Sequence, residues 1–230
     1  MIALLSDIHG NLPALRAVLD TLDQWGVSRI LFLGDVAGYA PQVNECCDEL
    51  RARSVLGIRG NHEHYLITGE SSGRSQTADA CIAHQRSIVT PDTLSWLTSL
   101  PLTLTHAGIT IVHGGWNDPL DEYLCEVDSS TFAGQSGRMF ASGHTHIPLL
   151  WSNGSLQYCN PGSVGQPRDG DARASFAVFD GERFTVHRVA YDTAAARTAI
   201  REAGLPEWVG SNLPLGLPIG AAAQSRRSAP

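Results

Sequence analysis

Over the first sixty residues, short apolar runs alternate with amphipathic stretches. "IALLS" (2–6) is a continuous apolar run of strand length. In "NLPALRAVLDTLDQWG" (11–26), Leu12, Leu15, Leu19 and Leu22 fall at helical spacing, with Pro13 near the start and Gly26 near the stop. "RILFLG" (29–34) then predicts a second strand, "PQVNECCDELRAR" (41–53) a second helix and "SVLGIRG" (54–60) a third strand. This βαβα order predicts parallel strands in one sheet with helices packed on its face.

Residues 64–100 read as helical pieces, with Ala80, Ile82, Ala83 and Ile88 on one side of a segment and "TPDTLSWLTSL" (90–100) restarting the pattern at Pro91. From Leu102 the chain turns to β: "LTLTHAG", "ITIVHGG", "MFASGHTH", "LQYCNPGS", "ASFAVFD" and "RFTVHRVA" all read as strands, and "DTAAARTAIREAG" (192–204) closes with a helix. Residues 205–230 are rich in Pro, Gly, Ala and Ser and read as a flexible extension or arm. With no internal repeat and no linker, residues 1–204 form one α/β domain.

The chemistry gathers where these strands stop. The first ends in Asp7-Ile8-His9, the second in Asp35, the third in Asn61-His62, "ITIV" in His113, and "MFASG" in His144-Thr145-His146. Alone, any of these residues would more often be structural. Ligands of open α/β sheets collect at the carboxyl ends of strands, however, so five such endings predict convergence into a metal site. Oxygen and imidazole donors without thiolates suit Mn, Fe, Zn, Co or Ni, with manganese put first. The donors are too many for one tetrahedral ion. Two ions are implied, and such pairs sit ~3.5–4 Å apart around a shared carboxylate.

Composition narrows the partners. The chain of 230 residues carries a formal charge of −7, which argues against a broad grip on a nucleic-acid polymer or an anionic membrane. All sixteen basic residues are Arg, a compositional habit that still supplies planar forks for phosphate oxygens. Five Cys without C-x-x-C spacing indicate neither a disulfide framework nor a thiolate zinc site. No leader or membrane span is apparent, so the expected setting is the cytoplasm, the expected substrate is a small phosphoester, and self-association stays open.

The ordered set D-x-H (7–9), G-D (34–35), G-N-H-E (60–63), V-H-G (112–114) and G-H-T-H (143–146) resembles the calcineurin-like metallophosphoesterase superfamily. "SDIHGN" (6–11) and "NPGSVGQPR" (160–168) are similar to its small bacterial phosphodiesterase branch. The resemblance implies a four-layer αββα sandwich of two mixed β-sheets flanked by helices. It assigns Asp7, His9 and His146 to one ion, Asn61, His113 and His144 to the other, and Asp35 to the bridge. It also implies hydrolysis of small phosphodiesters by a metal-bridging hydroxide, with His62 protonating the leaving oxygen. A phosphomonoesterase or protein phosphatase on the same site is the nearest alternative, and a non-catalytic scaffold of this fold a further one. In "GDVAGYAP", Gly38 and Tyr39 replace the Asp-Arg pair of the protein phosphatases, which demotes that activity.

Further candidates surround this set. Arg168 is read as orienting substrate or closing a loop, Asn61 and Asn11 as contacting substrate, and Asn11 equally as a helix cap. Tyr39, Tyr65, Trp116 and Tyr123 could stack a nucleobase in a pocket walled by residues 64–100 and 115–138. His64, His84, His106 and His187 are expected to be structural or exposed.

Overall fold

The computed structural model describes residues 1–73 and 75–219. Two five-stranded sheets face each other. The first has the order β10-β9-β1-β2-β3 and the second β4-β5-β6-β8-β7. Strands β1 (Ile2–Leu5), β2 (Ile30–Phe32) and β3 (Leu56–Gly57) run parallel, while β9 (Ala174–Phe179) and β10 (Phe184–Val189) join antiparallel at the other edge. In the second sheet β5 (Ile109–Val112), β6 (Met139–Ala141) and β8 (Gln157–Asn160) are parallel, flanked by antiparallel β4 (Thr103–His106) and β7 (Leu149–Ser152).

Strand periodicity explains why β1 is apolar throughout. Ile2 and Leu4 point into the layer between the sheets, where Leu31, Leu33, Ile58, Ile109, Ile111 and Ala141 complete the core. Ala3 and Leu5 point the other way, onto helices α1 (Leu12–Gln24) and α2 (Val43–Ala52). A strand covered on both faces has no polar side to show. The outer face of the second sheet is covered by Leu124 and by Phe132 of a 3₁₀ turn, packed on Phe140 and Tyr158. The four-layer plan therefore holds, with its fourth layer at this place a loop and a single turn. No helix among the described residues is long and apolar enough to cross a membrane.

Three parts of the chain depart from the sequence reading. The third strand is only two residues long, because the chain turns at Gly60 into α3 (Asn61–Thr68), so Asn61 and His62 open a helix. Strand β7 was not expected: it is an edge strand whose alternate residues are exposed, and "LLWS" carries no clean period of two. Helices α4 (Gln76–Ile88) and α5 (Pro91–Ser99) fall within the predicted helical pieces. The extension from 205 is not an arm over its first part: Leu205, Val209 of α7 (Trp208–Ser211) and Leu213 are buried against Ala40, Cys81 and, from α6 (Thr193–Glu202), Ala196 and Ile200. The remainder, 220–230, lies outside the described residues.

Candidate metal centre

The carboxyl ends of β1, β2 and β3 meet those of β5 and β6 at one rim of the sandwich. Asp7, His9, Asp35, Asn61, His113, His144 and His146 come together there, each at most 6% exposed. Metal-competent donor atoms of Asp7, His9 and His146 lie within 4.8 Å of one another, and so do those of Asp35, His113 and His144. The first group has the members the sequence reading gave to one ion; the second joins His113 and His144 to Asp35, which that reading made the bridge, while Asn61 was the third member expected there. A third such group joins His9, Asp35 and His62.

Local backbone geometry shows how the donors are aimed. Asp7, His9, Asp35, His144 and His146 all have left-handed φ, between 52° and 67°. Such conformations cost non-glycine residues about 1–3 kcal/mol each and persist where the surroundings dictate them. Only three of the eight non-glycine residues with positive φ among the described residues, Tyr39, Ser54 and Ala107, lie outside the donor set. Space is as tight as the backbone. A Cβ on Gly60 would strike the Asp35 carboxylate, and one on Gly38 would strike the His62 ring. Gly38 therefore makes room for the His62 ring.

Three imidazoles are fixed by backbone carbonyls. His9 Nδ1 donates to Ala37 O (2.7 Å), His113 Nδ1 to Leu33 O (2.8 Å) and His146 Nδ1 to Gln166 O (2.6 Å). A proton committed to Nδ1 leaves Nε2 as a lone pair, the arrangement usual for metal-bound histidine. The Nε2 atoms of His9 and His146 then face each other at 3.1 Å. Asp7 Oδ1, Asn61 Oδ1, His113 Nε2 and His144 Nε2 are buried without a hydrogen-bond partner. Buried acceptors turned toward one another cost free energy unless a cation stands among them. The donor set fits divalent metal ions.

The charges agree. Burial opposes ionisation of Asp7, yet the neighbouring imidazoles, His146 foremost, hold its carboxyl well below the usual range. Asp35 is likewise held low against burial by His113 and His62. Burial works against a charged His113, but the Asp35 carboxylate 3.3 Å away pushes it up to about 10, so without an ion its Nε2 holds a proton that a metal must displace before this nitrogen becomes a ligand. Burial lowers His144 to about 3 and His146 to about 4, so both offer neutral nitrogen.

Outside the donor set, Asn11 serves the fold and is not among the residues lining the opening above Asp35 and His62. Its Oδ1 caps α1 through Ala14 N (3.2 Å), and its Nδ2 donates to Gly165 O (2.8 Å) and to the Tyr191 hydroxyl (3.3 Å), which uses both amide hydrogens. Trp116 packs edge-on against Phe132 and Phe140 in the core of the second sheet's outer face, and the Tyr65 hydroxyl donates to Asp121. Neither is a stacking platform. Tyr39, Tyr123 and Arg168 do line the opening above Asp35, Asn61 and His62, together with Ser72 and Ser75. Arg168 donates to the Tyr39 hydroxyl (3.2 Å) and to Gln166 (2.9 Å), while its Nε is buried without a partner.

Two residues that support the site were missed as such. Glu63 is fully buried and accepts from Asp35 N, Ala37 N and Gly60 N, each at 2.7 Å, lashing the loop after β2 to the start of α3. Burial, with the charge of Asp35, raises it to about 7. The available signal was spacing, since a Glu three residues after an N-cap marks a capping box. Gln85 of α4 fastens the same loop through Gly38 N (2.6 Å) and Ala40 O (2.5 Å), and nothing in its own segment announces that. Glu63→Ala strips three buried N–H groups of their acceptor, at ~1–3 kcal/mol each. A loss of stability on the order of 3 kcal/mol or more is expected in urea unfolding, and a loss below about 1 kcal/mol would show that the three bonds are dispensable.

With this geometry in place, the comparisons with known proteins fall into line. Residues 1–183 match the model of the calcineurin-like phosphoesterase superfamily domain. The chain belongs to that superfamily, a metal-dependent family of phosphoester hydrolases. It is 35% identical to the uncharacterized protein MJ0912 of Methanocaldococcus jannaschii, over 94% of this chain and 98% of that one. It is 29% identical to phosphodiesterase YfcE of Escherichia coli, over 85% and 95%. Among solved structures, a metallophosphoesterase from Sphaerobacter thermophilus matches with a TM-score of 0.84 and 33% identity, covering 94% of this chain and 99% of that one. Protein PH1004 from Pyrococcus horikoshii shares the fold with a TM-score of 0.80 at 24% identity, over 94% and 99%.

Proposed function

We propose that the protein is a dinuclear phosphodiesterase for small substrates. Asp7, His9 and His146 would hold one ion and Asn61, His113 and His144 the other, Asp35 would serve both, and His62 is the proton donor. The observation that carries this reading is a cluster of buried donor atoms in which four, on Asp7, Asn61, His113 and His144, have no hydrogen-bond partner and three imidazoles, His9, His113 and His146, are held by backbone carbonyls. Manganese is the first ion to try, because the oxygen and imidazole donors suit it and no thiolate competes for softer metals.

Divalent ions bound there supply positive charge to phosphoryl oxygens and lower the pKa of coordinated water. Phosphoryl transfer asks mainly for position and neutralised charge. His62 stands at the pocket floor with Nε2 3.8 Å from Asp35 Oδ2, its ring held between His9 and Tyr39. Its Nδ1 is buried against Gly38 without a partner, which favours placing the ring proton on Nε2, toward substrate. Burial lowers His62 to about 3, so it is neutral in the free protein. An arriving phosphate anion raises it, as any neighbouring negative charge does, and readies it to protonate the departing oxygen. Arg168 and Tyr39 border the phosphate position.

Two features favour a diester over a monoester. Tyr39 stands where the protein phosphatases carry a second Arg, so the dianion of a monoester meets one guanidinium in place of two. A relative that matches over 85% of this chain and 95% of its own bears the name phosphodiesterase. The test is hydrolysis of bis-p-nitrophenyl phosphate against p-nitrophenyl phosphate by metal-stripped protein reloaded with Mn²⁺. The diester is expected to have the higher kcat/KM; a higher value for the monoester, or hydrolysis of neither, removes the proposal.

A further inference from the structure

Resting on the two-ion reading above, we infer that Asp121 is a positioning residue for the ion held by Asn61, His113 and His144, and that the segment 114–128 sets that ion's affinity separately from its neighbour's.

The inference begins with an ambiguity of asparagine. The two ends of its side-chain amide have nearly the same shape, so Asn61 could turn either its oxygen or its NH₂ toward the metal centre. Only the oxygen can bind a cation. Asp121 Oδ1 receives the Asn61 Nδ2 hydrogen at 3.1 Å, and an ionised carboxylate accepts but does not donate. That contact selects one orientation, which leaves Asn61 Oδ1 on the inner side, buried and without a hydrogen-bond partner. The carboxylate is itself aimed: the Tyr65 hydroxyl, one turn along α3 from Asn61, donates to Asp121 Oδ2 at 2.6 Å.

Asp121 belongs to a segment that touches every ligand in this group. The segment begins immediately after His113. Two residues beyond Asp121, the Tyr123 ring lies 4.1 Å from the ring of His144, whose Nε2 is another buried atom without a partner. Internal bonds give the segment a defined shape, with Gly114 N donating to Pro119 O (2.8 Å), Gly115 N to Asp118 O (3.0 Å) and Asn117 N to Glu122 (2.9 Å). The other group takes its orientation elsewhere, His9 from Ala37 O and His146 from Gln166 O. A change at Asp121 should therefore act on one ion and spare the other.

The experiment is calorimetric titration of the full-length, metal-stripped protein with Mn²⁺, with electron paramagnetic resonance to separate single from paired ions. Removing an outer hydrogen-bond partner of a metal ligand typically costs ~10–100-fold in affinity. Asp121→Ala is expected to weaken one of two sites by that factor and leave the other unchanged, so that single ions persist at Mn²⁺ levels that pair the wild type. Asp121→Leu fills the same volume without an acceptor and serves if truncation unfolds the loop. Asp121→Asn should restore most of the affinity, since its oxygen still accepts from Asn61 while its NH₂ donates to the Tyr65 hydroxyl. Two sites unaltered by both apolar variants overturn the inference alone. Equal weakening of both sites with a lower melting temperature also overturns it, because that is the mark of a merely structural residue. A wild-type protein that binds fewer than two ions overturns the two-ion reading and this inference with it.

Discussion

Asp35→Asn is expected to remove most hydrolytic activity and bring metal content below two ions per chain, while the metal-free protein stays folded. The two carboxylate oxygens do different work. Oδ1 accepts from His62 N at 3.0 Å and holds the first turn of α3, a bond the Asn oxygen can keep. Oδ2 faces His113 at 3.3 Å and both His9 and His62 at 3.8 Å, and there the variant presents an uncharged NH₂. Two divalent charges ~4 Å apart repel by about 16 kcal/mol at an effective dielectric of 20, four times the value for unit charges. A negative group between them is the most direct compensation, so its neutralisation should exceed the ~10–100-fold penalty of losing an outer partner of a ligand. Metal analysis, turnover and a melting curve of the stripped protein check all three parts. Two tightly held ions with normal turnover would falsify the bridging role.

The melting curve of that variant carries separate information. Asp7 and Asp35 are buried carboxylates, and burying charge is costly unless partners compensate. Five donors with left-handed backbone add strain on top. Both costs are borne by the apolar layers behind the rim, where β1 is covered on either face. Here the imidazoles do compensate, since His113 and His62 hold Asp35 low against burial, so the stripped Asp35→Asn protein should melt somewhat below the stripped wild type yet still cooperatively, which separates a functional loss from a folding loss.

The gathering of metal-competent donors at one rim was legible in the sequence because of topology. Parallel strands deliver their carboxyl ends to one rim, so Asp7, Asp35, Asn61, His113, His144 and His146 could be brought together from strand order alone, across some 140 residues of chain. What stayed hidden acts through backbone groups or from loops. Glu63 serves three N–H donors and Gln85 a loop 45 residues away, and hydrogen bonds of that kind leave no periodicity. Asp121 sits in a segment whose shape comes from its own turns, with no strand or helix to predict where it points. The packed part of the extension was legible in principle: Leu205, Val209 and Leu213 recur every four residues, but the Pro, Gly and Ser between them masked the pattern. Trp116 erred in the opposite direction, because a Trp in a loop can close a core as readily as it can hold a base.

His62→Ala should keep both ions and lose rate in proportion to how much the leaving group needs a proton. The ring is not in either three-donor group assigned to an ion, yet its nitrogen lies close enough to His9 and Asp35 to be a ligand in its own right. Metal content separates these roles: a ligand would take an ion with it, a proton donor would not. General acid catalysis contributes ~10²–10⁴-fold, and that contribution shrinks as the leaving oxygen becomes stable as an anion. A p-nitrophenyl ester should therefore suffer a small loss and an alkyl ester of the same phosphate a loss near the upper end. Equal losses on both esters would leave His62 as a contact for phosphate and nothing more. The removal of the ring also takes away its edge contact with His9 at 4.7 Å and its tilted contact with Tyr39 at 5.0 Å. His62→Gln, which fills much of that space and cannot protonate, is the control: if it behaves like the Ala variant on the alkyl ester, the missing function is the proton and not the packing.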